Sequence, residues 1–145
     1  SRFNDEITRK LADGAMETLV ARGVAFDHID LIWVPGAWEL PLAARAAAST
    51  DRYDAIVAVG AVIRGETGHY DIIANEASRG LAEVGREFEI PIGFGLLTCE
   101  DDAQAEARSG GAHGNKGSDA ALVALEMADL LSILEGDAEE ENDEG

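Results

Sequence analysis

A lone histidine, His69, lies in the segment Gly60-Ala-Val-Ile-Arg-Gly-Glu-Thr-Gly-His-Tyr-Asp71, between a predicted buried strand and a predicted helix. Strand ends that lead into helix N-termini are where open α/β sheets bind ligands, and the exposed main-chain amides there attract anions. Imidazole is the side chain best suited to move protons at neutral pH. The segment therefore predicts an anion site beside a proton-transfer group, although a lone histidine in a turn is also commonly a surface or capping residue.

Two cations flank a second glycine-rich loop, Ala107-Arg-Ser-Gly-Gly-Ala-His-Gly-Asn-Lys-Gly117. Arginine and lysine are the groups that a phosphorylated substrate needs, and they are scarce in this acid-rich chain. We therefore weight Arg108 and Lys116 above an ordinary solvated charge pair. His113 has only its position in the loop to recommend it.

Three further segments fall at predicted strand ends. Phe3 could stack on a flat heterocycle or could cap a helix, and Phe94 is a second aromatic candidate. Glu39, in Val34-Pro-Gly-Ala-Trp-Glu-Leu-Pro41, could accept hydrogen bonds from a ligand or complement a helix dipole. Thr67 and the amides around it could hold a phosphate, whereas the Glu66 carboxylate would repel one unless it points away.

Several chemistries have no motif in this chain. No HExxH, CxxC or P-loop sequence is present, no GxGxxG follows a strand, and no GxSxG elbow occurs. The three histidines have no metal-ligand spacing with cysteines or paired acids. The residues alone therefore predict metal-free acid–base chemistry on a small phosphorylated compound.

The elements that must position these residues alternate between helix and strand. The apolar periodicity predicts helices over 5–22, 39–49, 70–86, 102–108 and 117–134, and strands over 29–34, 54–60 and 90–98. Alternating strands and helices indicate βαβ units and a parallel sheet. Ser1-Arg-Phe-Asn4 leads straight into a helix where such a fold would normally have a preceding strand, so we expect one strand of the sheet to lie outside these residues.

Composition indicates one domain over 1–135 and predicts an acidic, disordered tail over 136–145. The net charge is -18, and the only lysines are Lys10 and Lys116. Such a surface argues against nucleic acid or an anionic membrane as a partner. Ordinary acidic solubility and adaptation to molar salt both remain open, and the scarcity of lysine favours a halophilic protein.

The single cysteine, Cys99, excludes an intrachain disulfide and fits a reducing compartment. No apolar run approaches the length of about 20 residues that a membrane-spanning helix needs, and no signal peptide is visible. We therefore expect a cytoplasmic protein.

Five blocks taken together closely resemble the 6,7-dimethyl-8-ribityllumazine synthase family of riboflavin biosynthesis, in order and without large gaps from Ser1 to about Leu131. They are Ser1-Arg-Phe-Asn4, Val34-Pro-Gly-Ala-Trp-Glu-Leu-Pro41, Gly60-Ala-Val-Ile-Arg-Gly-Glu-Thr-Gly-His-Tyr70, Phe94-Gly-Leu-Leu-Thr98 and Gly114-Asn-Lys-Gly117. The resemblance implies a three-layer αβα sandwich around a four-stranded parallel sheet in flavodoxin-like order. It also implies condensation of 5-amino-6-(D-ribitylamino)uracil with 3,4-dihydroxy-2-butanone 4-phosphate, without metal or organic cofactor.

The same resemblance implies roles for individual residues. His69 matches the proton-transfer residue, and Asp119 matches an acid that can orient it. Glu66 and Thr67 match the phosphate-binding turn, where backbone amides bind the anion. Positions matching the pyrimidine and ribityl pocket are Phe3, Ala37, Trp38, Glu39, Ala61, Val62 and Ile63. Phe94, Arg108 and Lys116 match groups from a neighbouring subunit, with Arg108 gripping the phosphate.

A site shared between subunits implies an oligomer. Relatives of this kind form pentamers, and some assemble twelve pentamers into a hollow icosahedral shell, which the compact loop over 108–115 modestly favours. The resemblance also implies riboflavin synthase as a candidate partner. Two other functions remain open. One is that of the related pentameric riboflavin synthase of archaea, against which the Gly60–Gly65 and Gly114–Gly117 blocks argue. The other is a non-enzymatic shell or flavin-storage role, which would need the pocket but not His69.

Overall fold

The computed structural model describes residues 4–65 and 68–144, and for 137–144 it describes the backbone alone. This part of the chain contains five α-helices. They are α1 (Asp5–Ala21), α2 (Leu40–Ser49), α3 (His69–Phe88), α4 (Asp102–Ala107) and α5 (Lys116–Glu144). Short 3-10 helices cover Phe26–His28 and Ala37–Glu39.

Two strands, β1 (Ile56–Ile63) and β2 (Ile92–Cys99), form a parallel sheet in which Ile56 pairs with Ile92 and Ile63 with Cys99. The helix α3 connects them, as a parallel pair requires. A second, very small antiparallel sheet joins β3 (Ser109–Gly111) to β4 (Gly114–Asn115). The chain is therefore mixed α/β, as its alternating elements predict.

Helices cover both faces of the parallel pair. Ala58 and Val62 of β1 belong to a cluster with Leu40 of α2 and Leu81 of α3. Ala61, which directly precedes Val62, faces the opposite side and belongs to a second cluster with Ile7, Leu11, Leu97, Cys99 and Ala105. Successive residues of a strand alternate between the two faces of the sheet. Each near-continuous apolar strand therefore contributes side chains to the hydrophobic clusters on both faces.

The predicted strand over 29–34 is wrong for the structure described here. Ile29 has extended dihedral angles, but 29–34 form no strand, and no backbone hydrogen bond joins 30–34 to β1 among the described residues. A cleft of about 670 Å³, lined by 28–34 on one side and 54–59 on the other, separates the segment from β1. A strand exists only through its ladder, so an apolar run without an adjacent partner remains irregular.

The described sheet therefore has two long parallel strands, and not the four in flavodoxin-like order that the resemblance implies. The other predicted elements are found with shifts of a few residues. The hairpin of β3 and β4 replaces the expected irregular loop, and α5 continues past the predicted end at 134 to Glu144. The separation of 136–145 as a disordered tail stays a prediction.

The last helix carries an apolar stripe that the described chain leaves uncovered. Ala120, Ala121 and Ala124 of α5 are buried, whereas Val123 and Met127 are about half exposed. Leu130, Ile133 and Leu134 continue the exposed row. In the part of the chain that is described, no helix has the length and apolar character needed to cross a membrane.

Candidate functional site at the carboxyl ends of the parallel strands

The carboxyl ends of β1 and β2 lie level with each other. Ala61 pairs with Leu97 and Ile63 with Cys99, and the next residue, Arg64, donates from its amide to the carbonyl oxygen of Cys99 at 2.8 Å. Ala61 and Val62 are buried, and Ile63 is half-buried. The three residues that the sequence assigned to backbone contacts with a heterocycle are thus rigidly held at this edge of the sheet.

The loop before α2 reaches the same edge. Ala37, Trp38 and Glu39 form a 3-10 helix that packs against α3 and β1 and continues directly into α2. Ala37 is buried and Glu39 half-buried, whereas the indole of Trp38 is 55% exposed. An exposed aromatic ring beside a half-buried carboxylate can bind the flat face and the polar edge of a heterocycle.

His69 is the first residue of α3 and is exposed. The preceding residue, Gly68, has no side chain with which to cap the helix. Because the first amides of a helix have no partner within it, this end of α3 can accept an anion. Glu66, Thr67 and Phe3, which the sequence assigned to the phosphate turn and to ring stacking, lie outside the described residues.

Asn4 is a residue that the sequence reasoning missed. It has left-handed dihedral angles (φ 59°, ψ 51°), which asparagine tolerates better than most residues, and its Nδ2 donates to the carbonyl oxygen of Ala61 at 3.1 Å. Asn4 therefore ties the start of α1 to the end of β1. The left-handed preference of an asparagine before a helix was the available signal.

A second group of predicted residues lines one cavity of about 460 Å³ along β2. Phe94, Arg108, Lys116 and Asp119 all contribute to its wall, as do His113 and 96–99. Phe94 is 39% exposed, Lys116 is half-buried, and Arg108 and Asp119 are exposed. The cavity brings both cations of the glycine-rich loop to the same space as an aromatic ring.

The small hairpin explains why the two cations meet. The amide of Lys116 donates to the carbonyl oxygen of Arg108 at 2.8 Å, and the amide of His113 donates to Ala107 at the same distance. These bonds close the loop so that the end of α4 and the start of α5 lie side by side. His113, set aside in the sequence reasoning, reaches the cavity because it is at the hairpin turn.

Cys99 forms part of the cavity wall but is itself only 2% exposed. Burial raises the pKa of its thiol above the ordinary value, an effect that the positive charge of Arg108 partly opposes. A neutral, buried thiol is a poor nucleophile, so Cys99 acts here as an apolar packing group.

The two groups of residues do not line one common cavity in the described chain. His69 is not among the residues that surround the cavity holding Arg108 and Asp119. Nor does any group of three or more His, Cys, Asp or Glu side chains in those residues have a metal-binding arrangement. The chain presents a histidine with a helix N-terminus at one place and a basic cavity at another.

Comparison with known proteins gives one consistent result. A family model described as 6,7-dimethyl-8-ribityllumazine synthase matches residues 1–132. The chain is 63% identical, over 131 residues, to the 6,7-dimethyl-8-ribityllumazine synthase of Gemmatimonas aurantiaca, an alignment that spans 90% of this chain and 80% of the relative. It is 49% identical, over 135 residues, to the enzyme of the same name from Kosmotoga olearia, spanning 93% and 86%.

Proposed function

The chain belongs to the 6,7-dimethyl-8-ribityllumazine synthase family, and from this membership we propose that its two groups of site residues together catalyse the reaction named for that family. The reaction is a step of riboflavin biosynthesis. It condenses 5-amino-6-(D-ribitylamino)uracil with 3,4-dihydroxy-2-butanone 4-phosphate to give the lumazine, phosphate and water.

Apart from family membership, the cavity that contains Arg108 and Lys116 is the observation that best supports the proposal. Arg108 and Lys116 line one space in a chain whose net charge is -18, so this is a place where a phosphorylated substrate meets two cations. Arginine supplies a planar fork that matches phosphate oxygens, and lysine adds a compact charge. Phe94, in the same cavity, supplies an apolar surface for the substrate.

Each group then has a distinct task. His69 transfers protons during imine formation, ring closure and dehydration, while Arg108 and the amides at the start of α3 hold the phosphate until it leaves. Trp38, Glu39 and the main chain of 61–63 hold the pyrimidine and its ribityl chain, and Phe3 stacks on the ring. Positioning two small substrates in this way can contribute roughly 7–11 kcal/mol toward the barrier, more than a single proton-transfer residue does.

The separation of the two groups supports a site shared between neighbouring subunits. His69 of one subunit would face Phe94, Arg108, Lys116 and Asp119 of the next, which would let Asp119 orient an imidazole that it does not contact within its own chain. Exposed apolar side chains on the same molecule support burial in an assembly, since Leu42 is 74% and Ile72 56% exposed. We propose a homopentamer as the basic unit, with a sixty-subunit shell and association with riboflavin synthase as further levels.

The cleft between 29–34 and β1 supports a larger sheet than the described one. It is bounded by apolar residues of α1, α2 and α5, including Ala12, Ala44 and Ala124, and by the two segments 28–34 and 54–59. A further extended strand seated there would pair with both segments and would complete four parallel strands in flavodoxin-like order. We propose a cytoplasmic location for the protein, and its single cysteine, which forms no disulfide, agrees with a reducing compartment.

A direct assay tests the proposed function. Purified protein is mixed with both substrates, and the fluorescence of the lumazine is followed in dilute buffer and in molar KCl. Product in either buffer supports the synthase. A folded protein that forms no product in both buffers would contradict the proposal, and retained binding of the lumazine would then indicate a binding or shell role. Conversion of added lumazine to riboflavin would instead indicate a riboflavin synthase.

A further inference from the structure

Arg64 connects three segments at the candidate site. It follows β1 directly, and its guanidinium lies over the ring of Tyr70, 4.3 Å from the ring centroid. Its Nε donates to Glu100, just after β2, with an Nε–Oε2 distance of 2.9 Å. Its Nη2 lies 3.7 Å from Oδ1 of Asp71, in the first turn of α3.

These contacts join Arg64 to residues on the far side of 65–68. Arg64 directly follows β1, while Tyr70 and Asp71 belong to the first turn of α3. The guanidinium therefore links the end of β1 to the first turn of α3, and Glu100 adds the end of β2. Core packing orients α3 as a whole, and the contacts of Arg64 restrain its first turn, which includes His69.

The same contacts change the charge near the helix N-terminus. Asp71 and Glu100 are two carboxylates beside the place where the proposed phosphate binds, and each would repel that anion. Arg64 pairs with both. The hydrogen bond with Glu100, together with the charges of Glu100 and Asp71, raises the pKa of Arg64 above its ordinary value.

We propose that Arg64 is a positioning residue for the first turn of α3. It holds the first turn of α3 against the strand ends and offsets the carboxylates of Asp71 and Glu100, so that the helix amides can accept the phosphate of the four-carbon substrate. The inference rests on the proposed function, because that function supplies the phosphate. Arg64 itself touches no reacting atom.

A matched control is present on the same helix. Arg79, in the middle of α3, also pairs with two carboxylates, with Nη2 2.6 Å from Glu76 and Nη1 3.1 Å from Glu83. It is exposed like Arg64 but forms its ion pairs within one helix. Arg79→Gln therefore removes the same charge and the same number of ion pairs but leaves the contacts of the first turn of α3 unchanged.

The experiment compares Arg64→Gln, Arg64→Lys and Arg79→Gln in the full chain. Binding of inorganic phosphate and of the ribitylaminouracil is measured separately by calorimetry, and steady-state kinetics gives kcat and the KM of each substrate. For Arg64→Gln we expect phosphate affinity to fall, and the KM of the butanone phosphate to rise, by about three- to tenfold, with uracil affinity within about twofold of wild type. Arg64→Lys should recover part of the loss, since lysine restores the charge but not the planar fork.

A second substitution separates the charge from a general packing effect. Asp71→Asn combined with Arg64→Gln removes a repelling carboxylate and should return phosphate affinity toward the wild-type value. Equal phosphate affinity in Arg64→Gln and Arg79→Gln, or an equal loss for both substrates, would overturn the role of Arg64. Wild-type protein that binds phosphate but forms no lumazine would instead count against the proposed function alone.

Discussion

Gly117 of α5 lies directly against the main-chain carbonyl group of Leu11 of α1, so closely that a methyl group at Gly117 would overlap it. At the same crossing, Nδ2 of Asn115 donates to the carbonyl oxygen of Lys10 at 2.9 Å, and Oδ1 of Asn115 accepts from the amide of Ser118 at 3.1 Å. The start of α5 is thus held against α1 by backbone contact. Lys116, between Asn115 and Gly117, is carried into the basic cavity by that contact.

Gly117→Ala should therefore destabilise the protein and disturb the cavity. The added methyl group must push α5 away from α1, and overpacking of this kind costs about 1–3 kcal/mol in the free energy of unfolding. Urea unfolding measures the change. Gly136→Ala is the matched control, because Gly136 is in the same helix with nothing near its added methyl group, and there we expect a gain of up to about 1 kcal/mol. Equal effects at the two positions would contradict the close crossing.

His69→Ala should weaken turnover without abolishing it. We expect kcat to fall by about 10²-fold, because one proton-transfer group is lost while both substrates remain bound in position. Arg108→Ala should cost more, about 10³-fold in kcat/KM for the butanone phosphate, since it removes a phosphate-holding fork. Fluorescence assays at saturating and limiting substrate measure both. A completely inactive His69→Ala beside an unaffected Arg108→Ala would reverse this ranking.

Mixed assemblies test the sharing of the site between subunits. If His69 and Arg108 of different chains meet, co-assembly of equal amounts of His69→Ala and Arg108→Ala subunits should restore about a quarter of the sites, because those sites receive the intact group from each chain. Activity is measured before and after the two variants are unfolded and refolded together.

The control for this mixture pairs His69→Ala with Glu39→Gln. Both residues belong to the group at the end of β1, so no mixed site regains both groups and activity should stay at the level of the separate variants. No restored activity in the first mixture would place the complete site within one chain. Restored activity in the control would instead show that His69 and Glu39 of one site come from different chains.

Assembly should strengthen with salt. The acidic surface makes subunits repel one another at low ionic strength, and screening in molar KCl shortens that repulsion to a few ångströms. Sedimentation velocity in dilute buffer and in molar KCl measures particle size. Truncation after Gly136 removes six acids of the tail, so the shortened chain should assemble at lower salt with its activity kept. Larger particles in dilute buffer than in molar KCl would contradict the expectation that charge repulsion between subunits limits assembly.

Amide exchange tests the proposed larger sheet. In the assembled full protein, amides over 30–34 should exchange slowly if a strand fills the cleft, because ladder hydrogen bonds protect them. Hydrogen exchange followed by mass spectrometry provides the measurement, with the exposed residues Phe26 and Asp27 as an internal reference for fast exchange. Exchange over 30–34 as fast as in that reference would show that the cleft contains no strand.

The outcome for individual elements shows what sequence patterns can predict. Periodicity found α1 and α3 because each helix buries its own apolar face against a nearby sheet, and it found β1 and β2 because their runs are buried on both faces. It failed at 29–34, where the same kind of apolar run has no adjacent ladder partner in the described structure. Local sequence carries the preference for extension but not the presence of the neighbouring strand.

The candidate site divides in the same way. The scarcity of basic residues in this acid-rich chain indicated Arg108 and Lys116, the family resemblance gave them a role, and the structure brings them into one cavity. No pattern in the sequence indicated His113. Its position at the cavity depends on backbone hydrogen bonds across the hairpin, and these bonds leave no periodic pattern of apolar residues in the sequence. The sequence likewise did not predict the ion pair between Arg64 and Glu100, because a whole helix and a whole strand separate the two residues in the chain.

The contact between α1 and α5 also determines the stage of folding at which the basic cavity can form. The bond from Asn115 to Lys10 closes a loop of 105 residues, so it can form only after nearly the whole chain has been synthesised. Until α5 docks, Lys116 has no fixed position and the basic cavity has no wall on that side. A nascent chain with its sheet and first helices formed would therefore not bind phosphate tightly, and substrate would stabilise only chains that have completed this last long-range closure.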